Sequence, residues 1–202
     1  FKECKFLGYD YVENFAFIGD YFEDPNELIE MEKRCGVELV NLYGHFGTDV
    51  EENIKVGKKQ IDFLAAIGGK WYNCQHGGYF GDGGPLERPT NPEVLDKICA
   101  IADTLGAYAK EKGVTLCFHP HYGTCVFWES DIDYLMAHTD PRYVSFCIDT
   151  AHTTLAGMSP VELIKKVGPR LAYMHLKDVD TYALKTAEGA DKMGTFRALG
   201  HG

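Results

Sequence analysis

Short runs of β-branched, aromatic and other apolar residues alternate along the chain with longer amphipathic stretches. The apolar runs predict six strands, at 9–15, 36–44, 70–75, 114–119, 144–149 and 171–176. Continuous apolar runs of this kind are typical of strands that are covered on both faces. The amphipathic stretches predict helices at 24–36, 49–69, 91–113, 129–138 and 159–168.

Several predicted helices carry boundary signals of their own. A capping residue followed by proline opens three of them, at Asp24–Pro25, Asn91–Pro92 and Ser159–Pro160. The unbroken alternation of strand and helix predicts a parallel sheet, either doubly wound or closed as a barrel. No GxGxxG follows the first strand, which disfavours a dinucleotide-binding sheet. No linker or low-complexity segment interrupts residues 1–202, so we expect a single domain.

Composition narrows the partners and the compartment. The 202 residues carry a formal net charge of −10, which repels phosphate backbones and argues against nucleic acid as a partner. No apolar run approaches the ~20 residues that cross a bilayer, so no membrane span is expected. Seven cysteines without a CxxC pair are typical of reduced thiols in a cytoplasmic protein. Phe1 leads straight into a charged segment rather than a signal peptide, and the missing initiator Met suggests that the native start lies elsewhere.

Polar residues collect at the carboxyl ends of the predicted strands, where barrel enzymes place their chemistry. In strand order these residues are Glu13 and Asn14, Asn41 and His45, Gln75 and His76, His119 and His121, Asp149 and His152, and His175, Lys177 and Asp178. Six of the eight histidines lie there, and only His138 and His201 do not. Any one of them is explained equally well as a hydrogen-bonded structural residue. The set as a whole predicts a functional rim.

Histidine and carboxylate together suit a borderline divalent ion such as Mn, Co or Zn. Asp149 and His175 are the strongest candidate ligands, because each directly follows an apolar strand that would hold it rigidly. Lys177 lies two residues beyond His175, on the same face if the strand continues, and is a candidate acid or base. The alternative is that Lys177 is a surface ammonium. Asp178 would face the other way and is expected to be structural.

A long glycine-rich loop follows His76 and runs to residue 90. It lacks the Lys-Ser/Thr of a P-loop, so we interpret it as a lid or a partner-contact loop rather than a phosphate cradle. Glu87 and Arg88 within it are expected to be solvated.

Three motifs in order carry a resemblance to a known family. FHPHYGT (118–124), CIDTAH (147–152) and MHLKD (174–178) resemble motifs of the xylose-isomerase-like TIM-barrel superfamily. That group includes sugar isomerases, ketose 3-epimerases, inosose dehydratases and an endonuclease branch. Within it the resemblance is closest to the inosose dehydratase family. The resemblance implies a (β/α)8 barrel of which this chain covers about strands two to seven, with the first and last strands, and the glutamate ligand of the last, outside it.

The resemblance also implies roles for individual residues. Asp149 and His175 match two metal ligands of the superfamily, and His119 stands where many members have a glutamate, so it either binds the metal or faces the substrate. The expected metal is Mn or Co, with Zn or Mg as alternatives. The expected catalytic groups are His152, Lys177 and His121, and the expected substrate contacts are Glu13, His76 and Glu129.

The chemistry that the resemblance implies is removal of a proton from the carbon beside a ketone, in a small sugar or cyclitol substrate. Loss of a β-substituent would give a dehydratase or lyase, with oxidised glycosides as a further substrate class. Return of the proton would instead give a ketose 3-epimerase or sugar isomerase. A non-catalytic sugar-binding or structural subunit is a hypothesis of another class, and a homo- or hetero-oligomer is left open. The net charge counts against the endonuclease branch.

Overall fold

The computed structural model describes residues 1–47, 49–76 and 89–202. Six parallel strands pair in chain order to form a curled half-barrel: β1 (Tyr11–Phe15), β2 (Glu38–Phe46), β3 (Trp71–His76), β4 (Thr115–Phe118), β5 (Val144–Asp149) and β6 (Leu171–His175). The six predicted strands are thereby confirmed, with shifts of one or two residues at most ends. The glycine-rich loop at 77–88, with Glu87 and Arg88, lies outside the described residues.

Helices connect and cover the strands. They are α1 (Lys2–Phe6), α2 (Pro25–Cys35), α3 (Val50–Ala66), α4 (Pro92–Glu111), α5 (Glu129–His138), α6 (Thr150–Leu155), α7 (Pro160–Val167) and α8 (Thr181–Leu184). Asp24, Asn91 and Ser159 accept the backbone N–H groups of Asn26, Glu93 and Glu162, and so begin α2, α4 and α7 as predicted. Among the helices that the structure describes, none combines the length and the apolar character that crossing a bilayer requires.

Some elements were not predicted. Helix α6 begins directly after β5, with Asp149 as both the last residue of the strand and the cap of the helix. A second, antiparallel sheet joins β7 (Asp178–Val179) to β8 (Phe196–Arg197). Strands of two residues have no periodicity to detect, and they form here only because distant segments pair. Asp178, expected to be structural, accepts the backbone N–H groups of Val179, Gly200 and Gly202.

The main hydrophobic core lies between the outer face of the sheet and the helices. Tyr72, Phe118 and Phe146, each from a central strand, are almost completely buried there. Helix α4 packs closely against the backbone just before β5, since a Cβ added at Gly106 would lie 2.5 Å from the backbone oxygen of Tyr143. Because side chains alternate along a strand, their immediate neighbours in sequence face the concave side of the half-barrel.

Arg170 ties the end of α5 to the start of β5. Its guanidinium donates to the backbone oxygens of Val144 and Met136, at 3.0 and 2.9 Å, and to the hydroxyl of Thr139. It also lies 4.9 Å from the ring centroid of Phe146. A cation at the carboxyl end of a helix complements the helix dipole, so this buried arginine is stabilised without a carboxylate among these contacts.

Candidate metal and substrate site

The concave side of the half-barrel gathers polar side chains at the carboxyl ends of β4, β5 and β6. His119 directly follows β4, Asp149 ends β5 and His175 ends β6. Register pairs Asp149 with His175, and the His119 N–H extends the ladder to the Cys74 oxygen. Parallel strands in register bring their carboxyl ends to one level, so residues remote in sequence meet.

These three side chains form a compact triangle. His119 Nε2 and His175 Nδ1 are 3.0 Å apart, and each lies 3.7 Å from Asp149 Oδ2. The distances to the carboxylate are too long for hydrogen bonds. Nitrogen and oxygen donors converging on one point match the preference of borderline divalent metals, and the donor set therefore fits such an ion.

The two carboxylate oxygens of Asp149 have different partners. Oδ1 accepts the N–H groups of Ala151 and His152 at 2.9 and 3.1 Å, as the cap of α6, which leaves Oδ2 for the site. Lys177 Nζ lies 2.6 Å from Oδ2. Burial raises the pKa of Asp149, but the His119, His175 and Lys177 side chains together lower it by a larger amount. The pKa is therefore well below its usual range, and the carboxylate stays ionised.

The imidazoles of the triangle differ in charge. Burial lowers the pKa of His119 to about 3, so its ring is neutral, as a metal ligand must be. For His175, burial lowers the pKa but Asp149 and Glu13 more than compensate, raising it to about 9. His175 Nε2 donates to Glu13 Oε1 at 2.9 Å, because a carboxylate only accepts, and Nδ1 faces the triangle. A carboxylate behind a histidine is a common way to orient a metal ligand.

A second group lies beside the triangle. The rings of His121 and His152 are 3.7 Å apart at their centroids, and Lys177 Nζ lies 3.5 Å from His152 Nε2. Burial lowers the pKa of His121 to about 4. Burial, followed by the proximity of His121, lowers the pKa of His152 to about 2. Phe196 of β8 closes this side, with its ring 5.5 Å from His152 and 5.6 Å from Lys177 Nζ.

A cavity of about 530 Å³ opens in front of these groups. Its lining is mixed, with charged, imidazole and aromatic side chains: Glu13, Phe15, Tyr43, His45, Gln75, His119, His121, Tyr173, Met174, His175, Leu176 and Lys177. The volume is within the range of small-molecule sites, and the mixed lining suits a polar molecule with one apolar face.

The structure brings together seven of the nine residues expected in the site: Asp149, His175, His119, His121, His152, Lys177 and Glu13. His76 is placed elsewhere, since it faces the helical layer and its Nδ1 lies 3.1 Å from Cys125 Sγ. Glu129 is also outside the cluster, at the start of α5 with its carboxylate 2.7 Å from Lys166 Nζ. Strand β6 ends at His175, so the backbone after the strand, rather than strand alternation, brings Lys177 to Asp149.

Two residues that line the cavity, Tyr43 and Tyr173, and one beside the triangle, Cys147, were missed by the sequence interpretation. Tyr43 and Tyr173 lie two residues before His45 and His175, on the same faces of β2 and β6. Cys147 likewise precedes Asp149 by two, and its sulfur lies with one nitrogen each of His119 and His175 inside a group spanning 4.8 Å. Burial raises the pKa of Cys147 far above its usual range, so the thiol keeps its proton and is a weaker donor than Asp149. Counting back by two from each polar strand end would have found all three.

The chain matches one family model over its whole length and known proteins over most of it. The family described as xylose isomerase-like TIM barrel matches residues 1–202. An inosose dehydratase of Bacillus anthracis (strain CDC 684 / NRRL 3495) is 35% identical over 136 residues, 64% of this chain and 46% of that protein. One of Mesomycoplasma hyopneumoniae (strain J / ATCC 25934 / NCTC 10110) is 29% identical over 92% of this chain and 67% of that protein. The matches thus span from about half to two thirds of these curated relatives.

Solved structures share the fold. A D-allulose 3-epimerase from Methylomonas sp., in complex with D-allulose, gives a TM-score of 0.71 at 20% identity, covering 87% of this chain and 64% of that one. The 3-keto-D-glucoside 4-epimerase YcjR from E. coli gives 0.69 at 18% identity over 90% and 77%. The IolI protein with a bound zinc atom gives 0.66 at 16% identity over 87% and 66%. At such identities the likeness supports the fold alone, and it confirms the barrel class.

Proposed function

Since the chain belongs to the xylose isomerase-like TIM barrel family, we propose that its site enolises a keto-sugar or keto-cyclitol and then eliminates a β-substituent. The observation that carries the proposal is the triangle of His119, Asp149 and His175 facing a cavity beside His121, His152 and Lys177. The inosose dehydratases among the relatives favour elimination, because a dehydratase removes water from its substrate.

His119 Nε2, Asp149 Oδ2 and His175 Nδ1 would hold the divalent metal, and its binding would release the proton that the charged His175 ring carries on Nδ1. Bound there, the metal supplies Lewis acidity to the ketone oxygen and so lowers the free energy of the negative charge that develops as the α-proton leaves. Mn and Co are the proposed metals, with Zn and Mg as alternatives. Lys177, whose ammonium is 2.6 Å from Asp149 Oδ2, adds a second positive charge for the same developing anion.

His121 is the proposed base. Its Nδ1–H donates to the backbone oxygen of Tyr122 at 2.8 Å, so the lone pair of Nε2 is left to accept a proton. The lowered pKa, about 4, keeps this ring neutral at physiological pH. A base must be unprotonated before it acts, and burial provides that state here.

Lys177 and His152 are the proposed partners of the leaving group. His152 Nδ1 accepts the Tyr122 N–H at 3.4 Å, so the neutral ring carries its proton on Nε2, the nitrogen nearest Lys177. Either group can donate a hydrogen bond to a departing hydroxyl or alkoxide, and Lys177 can donate a proton as well. Glu13, which lines the cavity, is proposed to contact substrate hydroxyl groups while it orients His175.

A ketose epimerase or isomerase is the second candidate. Proton return needs a second acid or base at the cavity, and Glu13 and Lys177 both line it in addition to His121. The two reactions differ in what becomes of the enolate. Solvent deuterium in a recovered or epimerised sugar, with no elimination product, would favour this candidate.

The proposal is tested by metal content and turnover together. We expect the protein to retain about one equivalent of Mn, Co or Zn and to convert a keto-cyclitol or a keto-glycoside. Asp149→Ala and His175→Ala should lose both properties, because each removes one of three donors. His138→Ala, a histidine on α5 bonded only to Tyr134 among the contacts described, is the matched control and should keep both.

A protein that takes up none of these metals would overturn the proposal. In that event a non-catalytic sugar-binding or structural role would replace it. Metal uptake without turnover of either substrate class would overturn the elimination and leave the epimerase candidate to be tested by deuterium exchange.

A further inference from the structure

Three polar side chains continue behind His119, away from the triangle. Tyr43 Oη lies 3.1 Å from His119 Nδ1 and 2.6 Å from Gln75 Oε1. Gln75 Nε2 lies 2.8 Å from His45 Nδ1. The residues come from β2 and β3, and Tyr43 and Gln75 are only 6% and 4% exposed. They form a chain of hydrogen bonds, His119–Tyr43–Gln75–His45, that spans three strand ends.

The placement of the Gln75 amide sets the direction of the hydrogen bonds along this chain. The Gln75 amide N–H donates to His45, and its carbonyl oxygen therefore accepts from Tyr43. A tyrosine hydroxyl has a single hydrogen, which this bond uses. The Tyr43 oxygen can then only accept from His119, so the proton of the neutral His119 ring is on Nδ1.

We propose that Tyr43 and Gln75 are positioning residues that hold His119 in its Nδ1–H form, with the Nε2 lone pair aimed at the centre of the triangle. The proposal deepens the proposed function and rests on it, because the lone pair matters only if His119 binds a metal. If the chain ran the other way, Tyr43 would donate to Nδ1 and the His119 proton would move to Nε2. That proton would occupy the ligand position and block binding.

The first measurement is the tautomer of His119, read from the ring ¹⁵N shifts of the metal-free protein. We expect the unaltered protein to show Nδ1–H. Tyr43→Phe removes the acceptor of that proton and should shift His119 toward Nε2–H or a mixture. Gln75→Glu still offers an oxygen to Tyr43, so it should preserve the His119 tautomer and instead place a proton on His45 Nδ1.

Tyr72→Phe is the matched control. Tyr72 is a fully buried tyrosine of β3 whose hydroxyl donates to Gln60 at 2.6 Å, on the helical side of the sheet. The Tyr72→Phe variant, like Tyr43→Phe, loses a tyrosine hydroxyl from the six-stranded sheet, but it leaves the His119–Tyr43–Gln75–His45 chain of hydrogen bonds intact. Its His119 shifts should equal those of the unaltered protein, although its stability falls.

The second measurement is Zn²⁺ affinity by calorimetric titration. Loss of a partner that orients a ligand typically costs 10- to 100-fold in metal affinity. We expect a weakening of at least about 10-fold in Tyr43→Phe, with little change in Gln75→Glu and Tyr72→Phe. Unaltered His119 shifts in Tyr43→Phe, an Nε2–H ring in the parent protein, or equal losses in both tyrosine variants would each overturn the proposal. If the parent shows Nδ1–H but binds no Zn²⁺, the proposed function fails while the hydrogen-bond direction stands.

Discussion

At the residue scale, Asp149 serves two structures at once. One oxygen accepts two N–H groups and begins α6, and the other faces the triangle beside Lys177. A carboxylate fixed by backbone donors does not have to be ordered when a ligand arrives, so the entropy cost is met during folding. The two oxygens can be separated by substitution.

Asp149→Asn should keep the cap and lose the site. The amide oxygen can still accept from Ala151 and His152, but the uncharged side chain no longer attracts a cation. Asp149→Ala loses the cap as well and should be less stable than the Asn variant by about 1 kcal/mol. Thermal unfolding and Zn²⁺ titration would measure the two effects. Asp24→Ala, which removes only the cap of α2, should lose about as much stability and bind Zn²⁺ normally. Normal binding by Asp149→Asn would contradict the assignment.

The site could be predicted only partly, because a residue's place at the end of a strand does not show on which face of the sheet its side chain lies. His175 and Asp149 were located correctly as strand ends. His76 was placed by the same rule, yet alternation turns it toward Cys125 and gives the inner position to Gln75. The hydrogen bonds of Tyr43 depend on β2 and β3 lying in register, which pairs its backbone with Asn73 and is invisible in either strand alone.

At the element scale, prediction succeeded where a local signal exists. Helices α2, α4 and α7 begin at a cap followed by proline, and those signals act within a single turn. Helix α6 has no such proline and its capping aspartate looked like the end of a strand. Strands β7 and β8 are held by each other across at least the 16 residues between Val179 and Phe196, and no local pattern encodes that pairing.

The close approach of α4 to the β5 region sets a limit on its side chains. A methyl group at Gly106 would lie 2.5 Å from the backbone oxygen of Tyr143, the residue directly before β5, and that oxygen cannot move without displacing the start of the strand. Gly106→Ala should therefore cost about 1–3 kcal/mol despite the higher helix propensity of alanine. At Gly57 of α3 the nearest atom, also at 2.5 Å, belongs to the flexible side chain of Leu105, so Gly57→Ala should cost less. Urea unfolding of both variants makes the comparison, and the reverse order would show that α4 can shift.

At the scale of the whole molecule, the residues that the structure describes form two hydrophobic clusters of unequal size. The larger joins the sheet to its helices. The smaller contains Tyr122, Phe127, Ala151, Leu155 and Val179, with Phe196 packed against it. Tyr122 also donates to the Gly189 oxygen, so this cluster fastens the segment 178–197 beside the site. A small cluster opens at lower free energy than a large one.

Phe196→Ala should loosen this segment alone. Its ring contacts His152 and Lys177, and its loss removes part of the smaller cluster. We expect faster amide hydrogen exchange at Val179, Asp180 and their neighbours, with exchange in β2 to β5 unchanged. Mass spectrometry after deuterium labelling would measure it. Leu199→Ala, at a side chain 62% exposed, is the control. Uniformly faster exchange throughout the chain would contradict the existence of separate units.

Arg170 has a consequence for how this protein can diverge. Two of its three hydrogen-bond partners are backbone oxygens, which every amino acid supplies. Substitutions at positions 136 and 144 are therefore limited by packing alone, because they leave the hydrogen bonds of Arg170 unchanged. The arginine itself has no substitute, since lysine cannot reach three acceptors in a plane. In proteins descended from this sequence, we expect arginine to be invariant at position 170, while the residues at positions 136 and 144 change.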